Sequence, residues 1–426
     1  MNKNSLRFLV NISSRRKYAS MIRETFLKLF KSNFKKIKYN DLIILYIQAF
    51  KKHFENYILC HLGEVGGSVD AEAYKFGIKI NNDELFCALK LIPLVNSESS
   101  KIMDLNFKSW KELYILKMIY NLIKNHNCPN VPIIYMYFIC KNCCKNDYLN
   151  PNIIKYYNDI NIRRDLQKTK NDTDVCNLLK RMERKKGFGT SSLCILNELC
   201  DSSLKDILTT NNIENISDAM FYSFVFQIVS GIYGIHKLCN ICHFDLHGGN
   251  ILISNIEANG FWLYNINNND YFIPNTGYIL KIWDFGRSMI INQDKFSDIK
   301  NQIIHQTKRF FKEPFEKNKK LEKKIFKKID KNNIKIILFA FDIWRIISYL
   351  YSKIKKDNYL EVKYVKTIKL LSSIKKDCEN NWVLALINNS EISNTPEIFM
   401  NYLLNKYFNQ YTTVQTELIN KKKYFI

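Results

Sequence analysis

Apolar and polar positions follow two different rhythms along this chain, and the change of rhythm divides it. From Tyr57 the pattern is that of strands. Tyr57 to Leu62 runs into Gly63, while Phe76 to Ile80 and Leu85 to Leu91 flank Asn81-Asn82-Asp83, which predicts a hairpin. One helix interrupts, between Trp110 and Ile123, with apolar residues at 113, 116, 119 and 123. Val131 to Cys140 and Leu193 to Leu199 again read as strands, and the polar stretch 141–192 between them reads as an inserted loop. Beyond it the period becomes helical. Phe221, Phe224, Val225, Ile228, Val229, Ile232 and Ile235 make one broad buried face, and Ser217 stands where a hydroxyl caps the first turn. Glu257 to Tyr278 reads as an extended hairpin, and Leu321, Ile325, Phe326 and Ile329 mark an amphipathic helix. Near the start, Ile22, Phe26, Leu29, Phe30 and Phe34 recur at near-helical spacing. Strands segregated from helices predict an α+β fold of two lobes. The expected division is a basic helical extension over 1–54, a strand-rich lobe over 55–200 and a helical lobe over 201–426, with insertions at 141–192, 257–278 and 308–332.

Composition narrows the class. Hydrophobic residues make up 46% and charged residues 24%, the range of globular proteins, which excludes fibrous, collagen-like and wholly disordered chains. Twelve cysteines spread over 426 residues, with no leading signal peptide, read as free thiols in a reducing compartment. The most apolar stretch, Ile334 to Tyr351, carries Lys335, Asp342 and Arg345, so no transmembrane segment is expected. Lys and Arg number 64 against 40 Asp and Glu, a net charge of +24, and a field of that sign favours acidic partners. Two segments concentrate it: residues 1–40, with 11 basic residues and the single acid Glu24, and residues 308–331, with 11 basic and 4 acidic. Each is a candidate surface for an acidic protein, an anionic membrane or nucleic acid, and each also fits an ordinary solvated helix face.

Three segments carry chemistry. His243-Phe244-Asp245-Leu246-His247-Gly248-Gly249-Asn250 follows a long buried helix and precedes the short apolar run Ile251-Leu252-Ile253. A carboxylate and a carboxamide on such a loop suit phosphoryl transfer: Asp245 orients an attacking hydroxyl and accepts its proton, and the Asn250 oxygen holds a divalent cation. In Lys281-Ile282-Trp283-Asp284-Phe285-Gly286 a strand-like run ends in an acid, Asp284, fit to hold the metal that bridges the phosphates, and Gly286 allows a sharp turn. In Cys87-Ala88-Leu89-Lys90, strand alternation puts Ala88 and Lys90 on one face, where a small residue beside a cation leaves room for a planar base. A buried Lys90 requires a carboxylate partner, and Glu112 on the following helix is the candidate.

In this order the three segments resemble the eukaryotic-type protein kinases. Cys87-Ala88-Leu89-Lys90 is similar to their Val-Ala-Ile-Lys motif, His243 to Asn250 to their catalytic loop, and Asp284-Phe285-Gly286 to their metal-binding motif. Phe341-Asp342-Ile343-Trp344 resembles the central helix whose Asp braces the catalytic loop, and Cys128-Pro129-Asn130-Val131 resembles the turn after the first helix. Leu196-Asn197-Glu198-Leu199-Cys200 resembles the hinge, with Asn197 as gatekeeper and Glu198 and Cys200 at adenine. The resemblance implies a bilobal kinase-like fold, ATP with Mg²⁺ or Mn²⁺, protein substrates and Ser/Thr specificity. The wording Asp-Leu-His-Gly-Gly-Asn and the long insertions resemble the kinases of large cytoplasmic DNA viruses (poxvirus, iridovirus and asfarvirus), which implies a place in the host cytoplasm or the virion.

The chain also departs from that pattern. The candidate phosphate loop, Leu62-Gly63-Glu64-Val65-Gly66-Gly67-Ser68-Val69, places Leu62, Gly63, Gly66 and Gly67 against the nucleotide but lacks the usual glycine spacing. Phe244 stands where many family members have Arg, which implies activity independent of activation-loop phosphorylation. His247 replaces the catalytic-loop Lys that neutralises the transferring phosphate, so either a neutral imidazole donates a hydrogen bond or another cation supplies the charge. An Asp-x-His loop is also similar to aminoglycoside- and choline-type kinases, which keeps a small-molecule kinase open. A catalytically weak pseudokinase scaffold and a nucleic-acid-binding protein are the further alternatives. Cys140-Lys141-Asn142-Cys143-Cys144 holds a C-x-x-C without the second pair that zinc requires.

Overall fold

The computed structural model describes residues 12–29, 34–39, 42–48, 58–61, 72–80, 83–95, 100–141, 188–208, 211–317, 320–384, 395–419 and 423–426. The candidate phosphate loop with Leu62, Gly63, Gly66 and Gly67, most of the polar insertion, and Asn142, Cys143 and Cys144 lie outside these residues. The chain divides into two compact units. The first takes residues 13–117 and 133–200, and the second takes residues 118–132 and 201–426.

The first unit is built from α1 (Ile12–Leu29), β1 (Phe34–Tyr39), β2 (Leu42–Gln48), β3 (Ile58–His61), β4 (Glu72–Ile80), β5 (Asp83–Val95), the start of α2 (Lys108–Lys124), β6 (Ile134–Lys141) and β7 (Phe188–Asn197). Its seven strands form one sheet in the order β1-β2-β6-β7-β5-β4-β3. Neighbours are antiparallel, apart from the parallel pair β2–β6. β4 and β5 form the hairpin the alternation predicts, closing with Ile80 opposite Asp83. The basic helical extension expected over 1–54 holds for α1 and is corrected beyond it, within the described residues. The helix ends at Leu29, and Phe34, counted in the helical stripe, opens β1. Phe34-Lys35-Lys36-Ile37-Lys38-Tyr39 and Leu42 to Gln48 are rich in β-branched and aromatic residues; the second pairs with β6 and the first with the second, and that pairing decides their state. The inserted loop is likewise shorter than 141–192, since β7 already begins at Phe188.

α1 packs on this sheet through Arg15, Tyr18, Ala19 and Ile22, a stripe at helical spacing whose members are all buried. The Tyr18 hydroxyl donates to the Phe86 carbonyl and accepts the Phe86 N–H, both at 3.2 Å. Arg23 donates to the Tyr135 carbonyl at 2.9 Å. Part of the basic arm is therefore occupied inside the protein.

The second unit is mostly helical: α3 (Leu204–Ile207), α4 (Asp218–Cys239), α5 (Phe296–Phe310), α6 (Lys312–Lys317), α7 (Leu321–Lys328), α8 (Ile334–Lys355), α9 (Asn358–Lys363), α10 (Val365–Glu379) and α11 (Pro396–Tyr407). Ser217 caps α4, its hydroxyl accepting the Met220 N–H at 3.2 Å, and Asn240 closes the helix in the left-handed region at φ 53°. Among the described residues α4 is long and apolar enough to cross a membrane, but 83% of its apolar window is buried within the protein, as a core helix requires.

Short strands punctuate the helices. β8 (Ser202–Ser203), β10 (Ile251–Asn255) and β13 (Tyr278–Ile282) make one small sheet, and β9 (Ile241–Cys242) pairs with β14 (Met289–Ile290). The insertion at 257–278 forms the hairpin β11 (Phe261–Ile266) and β12 (Asn269–Pro274), with β15 (Tyr424–Phe425) added in parallel. Its two turn residues, Asn267 and Asn268, have φ of 49° and 68°, the geometry that matches strand twist and that Asn tolerates best after Gly. The turn at Asn130 is fixed from three sides: its amide donates to Gln227 Oε1 and the Leu280 carbonyl, and its Oδ1 accepts the Tyr264 hydroxyl.

Candidate active site

In the first unit the chemistry sits on one face of the central strands. Ala88 lies opposite Asn197 and Lys90 opposite Ile195, so these four side chains share a face of the β5–β7 pair. Lys90 is buried, and its ammonium donates to Glu112 Oε1 on α2 at 2.5 Å. Neither charge would survive burial alone, and together they hold an ammonium in place on the sheet. Opposite Ala88, Asn197 is 1% exposed. Its amide donates to the Ile195 carbonyl at 3.2 Å, and its Oδ1 has no partner among the described residues.

Glu198 is held differently from a free hinge residue. Arg15 grips its carboxylate through Nε at 2.9 Å and Nη2 at 2.7 Å, and the Ile133 N–H donates to the same carboxylate at 3.1 Å. Its own N–H donates to the Ile133 carbonyl at 2.9 Å. Any part Glu198 takes in nucleotide binding must therefore come from its main-chain carbonyl. Cys200 is half-buried.

In the second unit one buried carboxylate organises the loop. Asp342 on α8 accepts the His243 N–H at 2.7 Å through Oδ2 and the Phe244 N–H at 3.0 Å through Oδ1, and Oδ2 also meets His236 Nε2 at 2.8 Å. Burial alone would raise its pKa, but the hydrogen bond and charge of His236 and the donors from His243 outweigh this and lower it. These bonds hold Phe244 at φ 61°, a left-handed conformation that costs a bulky residue about 1–2 kcal/mol.

The remaining loop bonds follow in order. The Asp245 N–H donates to His243 Nδ1 at 3.3 Å, which leaves the proton on Nε2 to reach the Trp283 carbonyl at 2.9 Å. The Asn250 amide donates to the Asp245 carbonyl at 2.8 Å, and the Trp283 N–H donates to the Asn250 carbonyl at 2.9 Å. Anchored by its nitrogen, Asn250 keeps Oδ1 for a cation, and a carboxamide oxygen with the Asp284 carboxylate is the hard donor set that Mg²⁺ or Mn²⁺ takes. One expectation is corrected here: the sharp turn at Asp284-Phe285-Gly286 is made by Asp284, at φ 64°, and Gly286 is not among the glycines with positive φ. Asp is one of the few side chains that enter this region readily. Phe285 is buried and packs on the His243 ring at 4.9 Å.

His247 caps the turn Gly248–Asn250, its Nδ1 accepting the Gly249 N–H at 3.1 Å. Burial lowers its pKa from the usual 6.5, with Arg345 adding to the fall and Asp245 and Asp284 opposing it. Two residues that the motif reading did not assign flank Asp245: Arg287 Nε is 3.6 Å from Oδ2 and Arg345 Nη2 is 3.8 Å from Oδ1. The signal for Arg345 was present in the sequence, as a cation one helical turn from Asp342 inside the most apolar stretch of the chain.

The family model for the protein kinase domain matches residues 137–425. A relative named "Probable serine/threonine-protein kinase 380R", from Invertebrate iridescent virus 6, is 26% identical over 226 residues, covering 53% of this chain and 35% of its own length. The uncharacterized protein C717R of African swine fever virus is 24% identical over 196 residues, covering 41% of this chain and 27% of its own. The chain thus spans between about a quarter and about a third of the length of these curated relatives.

Proposed function

We propose that this chain, which belongs to the protein kinase domain family, transfers the γ-phosphoryl group of ATP to protein hydroxyls, mainly those of Ser and Thr. The observation that carries the reading is the loop braced by Asp342, which presents the Asp245 carboxylate and the Asn250 oxygen from one rigid turn. In this reading Asp245 orients the acceptor hydroxyl and takes its proton late in the reaction. Lys90, held by Glu112, binds the α- and β-phosphates, with Ala88 and the main chain of Glu198 and Cys200 at the adenine. Leu62, Gly63, Gly66 and Gly67 cover the nucleotide. Asn250 and Asp284 hold Mg²⁺ or Mn²⁺, which neutralises phosphate charge when bound. Catalysis is then positioning and electrostatic stabilisation, with little covalent work for the protein.

The Ser/Thr preference rests on the name of the iridescent-virus relative. Likeness to proteins of large DNA viruses supports a place in infected-cell cytoplasm or the virion, and the basic segments 1–40 and 308–331 suit acidic partners, whether protein, membrane or nucleic acid. The test is incubation of the purified chain with Mg-ATP labelled on the γ-phosphate, with protein and metabolite acceptors, followed by phosphoamino-acid analysis. Labelled phosphoserine or phosphothreonine that disappears in Asp245→Asn is the expected result. Label only on an aminoglycoside or choline, or none on any acceptor, would overturn it in favour of a small-molecule kinase or a scaffold.

A further inference from the structure

The geometry points to Arg345 as the fixed cation of the catalytic loop, a positioning residue that holds the Asp245 carboxylate. This deepens the phosphotransfer reading above and rests on it.

The imidazole is limited by its own hydrogen bond. Its Nδ1 accepts the Gly249 N–H, so while the turn is formed the ring offers a single N–H and no full charge. The charge has to come from elsewhere. Asp245 faces two guanidinium groups, and they differ in how firmly they are held. Arg287 follows Gly286 directly, and its side chain is 61% exposed. Arg345 is 16% exposed, and its guanidinium lies over the Phe310 ring at 4.4 Å. A side chain packed in this way stays in place while substrates come and go, which is what electrostatic preorganisation requires.

The position of Arg345 on its helix is equally telling. Asp342, Arg345 and Tyr349 are spaced i, i+3 and i+7, one face of α8, and each meets the same loop. Asp342 takes two main-chain N–H groups, and Arg345 reaches Asp245. The Tyr349 ring sits where a Cβ on Gly248 would come within 2.4 Å of it, so only glycine lets the loop lie this close. The charged groups facing Arg345 are Asp245 and Asp342, with Arg309 and Arg287 opposing them. The titratable and charged groups facing His247 are Asp245, Asp284, Arg345 and the His243 imidazole.

In the transfer the acceptor oxygen forms its bond to the γ-phosphorus as the bond from phosphorus to the bridging oxygen breaks. ADP leaves with that electron pair, and the hydroxyl proton passes to Asp245. Arg345 keeps the carboxylate aimed at the hydroxyl and offsets the negative charge gathered beside it.

The test uses the full chain with Mg-ATP, reading self-phosphorylation and transfer to casein, in wild type, Arg345→Met, Arg345→Lys and the double variant Arg345→Met with His247→Lys. Arg345→Met is expected to lower kcat about 100-fold or more while KM for ATP moves less than about threefold. Arg345→Lys should recover part of the loss, and the double variant at least about tenfold of it, because an ammonium at 247 restores a cation beside Asp245. That rescue separates charge from packing, since a change at 247 does not refill the space over Phe310. An active wild type with Arg345→Met within about threefold of it, or with a double variant no better than Arg345→Met, overturns the assignment alone. A wild type that transfers to neither acceptor overturns the phosphotransfer reading, and this inference falls with it.

Discussion

The two units handle buried charge in opposite ways. In the strand-rich unit, long side chains of opposite sign neutralise each other, Lys90 with Glu112 and Arg15 with Glu198. In the helical unit, the buried Asp342 is met by main-chain N–H groups and an imidazole. The difference follows from what each device must hold. Sheet strands already satisfy their own backbone, so an ion pair there fixes only the position of a charge. The loop His243–Asn250 has few ladder partners, and a carboxylate that collects its N–H groups fixes the path of the chain itself.

The sharpest break of this contrast is at Asp342. Asp342→Ala leaves two main-chain donors and His236 without their acceptor, and denaturant unfolding should show a loss of about 5 kcal/mol. Its pH dependence has a definite sign. The folded pKa is lowered, so the stabilisation is present above the unfolded carboxyl value of about 3.9 and is lost as pH falls through the lower folded value. The gap between wild type and variant should therefore close only in acid below about pH 4. A gap that closed between pH 5 and 7 would contradict the assignment.

Breaking the ion pair comes next. Glu112→Ala removes the carboxylate that faces a buried ammonium and should cost about 3 kcal/mol, whereas Lys90→Met with Glu112→Leu should recover most of that stability and restore no phosphotransfer. Thermal melting and transfer assays on the same samples read the two effects separately. Arg15→Met should cost less, about 2 kcal/mol, because the Ile133 N–H still serves the Glu198 carboxylate. At the foot of the scale, Lys308→Ala removes an ion pair to Glu322 whose members are 46% and 49% exposed, and unfolding should shift by less than about 1 kcal/mol. A larger shift would mean that the basic segment contributes to the fold as well as to the surface.

Local signals made much of this molecule legible. The β4–β5 hairpin, the Ser217 cap and the 257–278 hairpin rest on neighbours in sequence, and alternation or helical period reveals them directly. The pairing of Lys90 with Glu112 was legible for another reason: a lysine on a buried strand face must find a carboxylate, and few are within reach. The misread segments needed distant partners. β2 becomes a strand by pairing with β6 and β1 by pairing with β2, and nothing in their own spacing distinguishes that from the tail of a helix. The turn at Asp284 took its left-handed residue from the acid rather than from Gly286, a choice set by the bonds of the surrounding loop. Arg15 read as one charge of a basic arm, and its fixed role at Glu198 appears only when α1 is laid on the sheet.

By itself, the order of residues determined the α+β division, the kinase-like motifs and the need for a partner at Lys90, because periodicity and the cost of burying a charge act locally. Tertiary structure alone decided that Arg345 and Tyr349 share a helix face with Asp342 against one loop, and that His247 is held as the cap of that loop's turn. Those outcomes depend on packing between segments about a hundred residues apart, where a few tenths of an ångström separate an ion pair from a solvated charge.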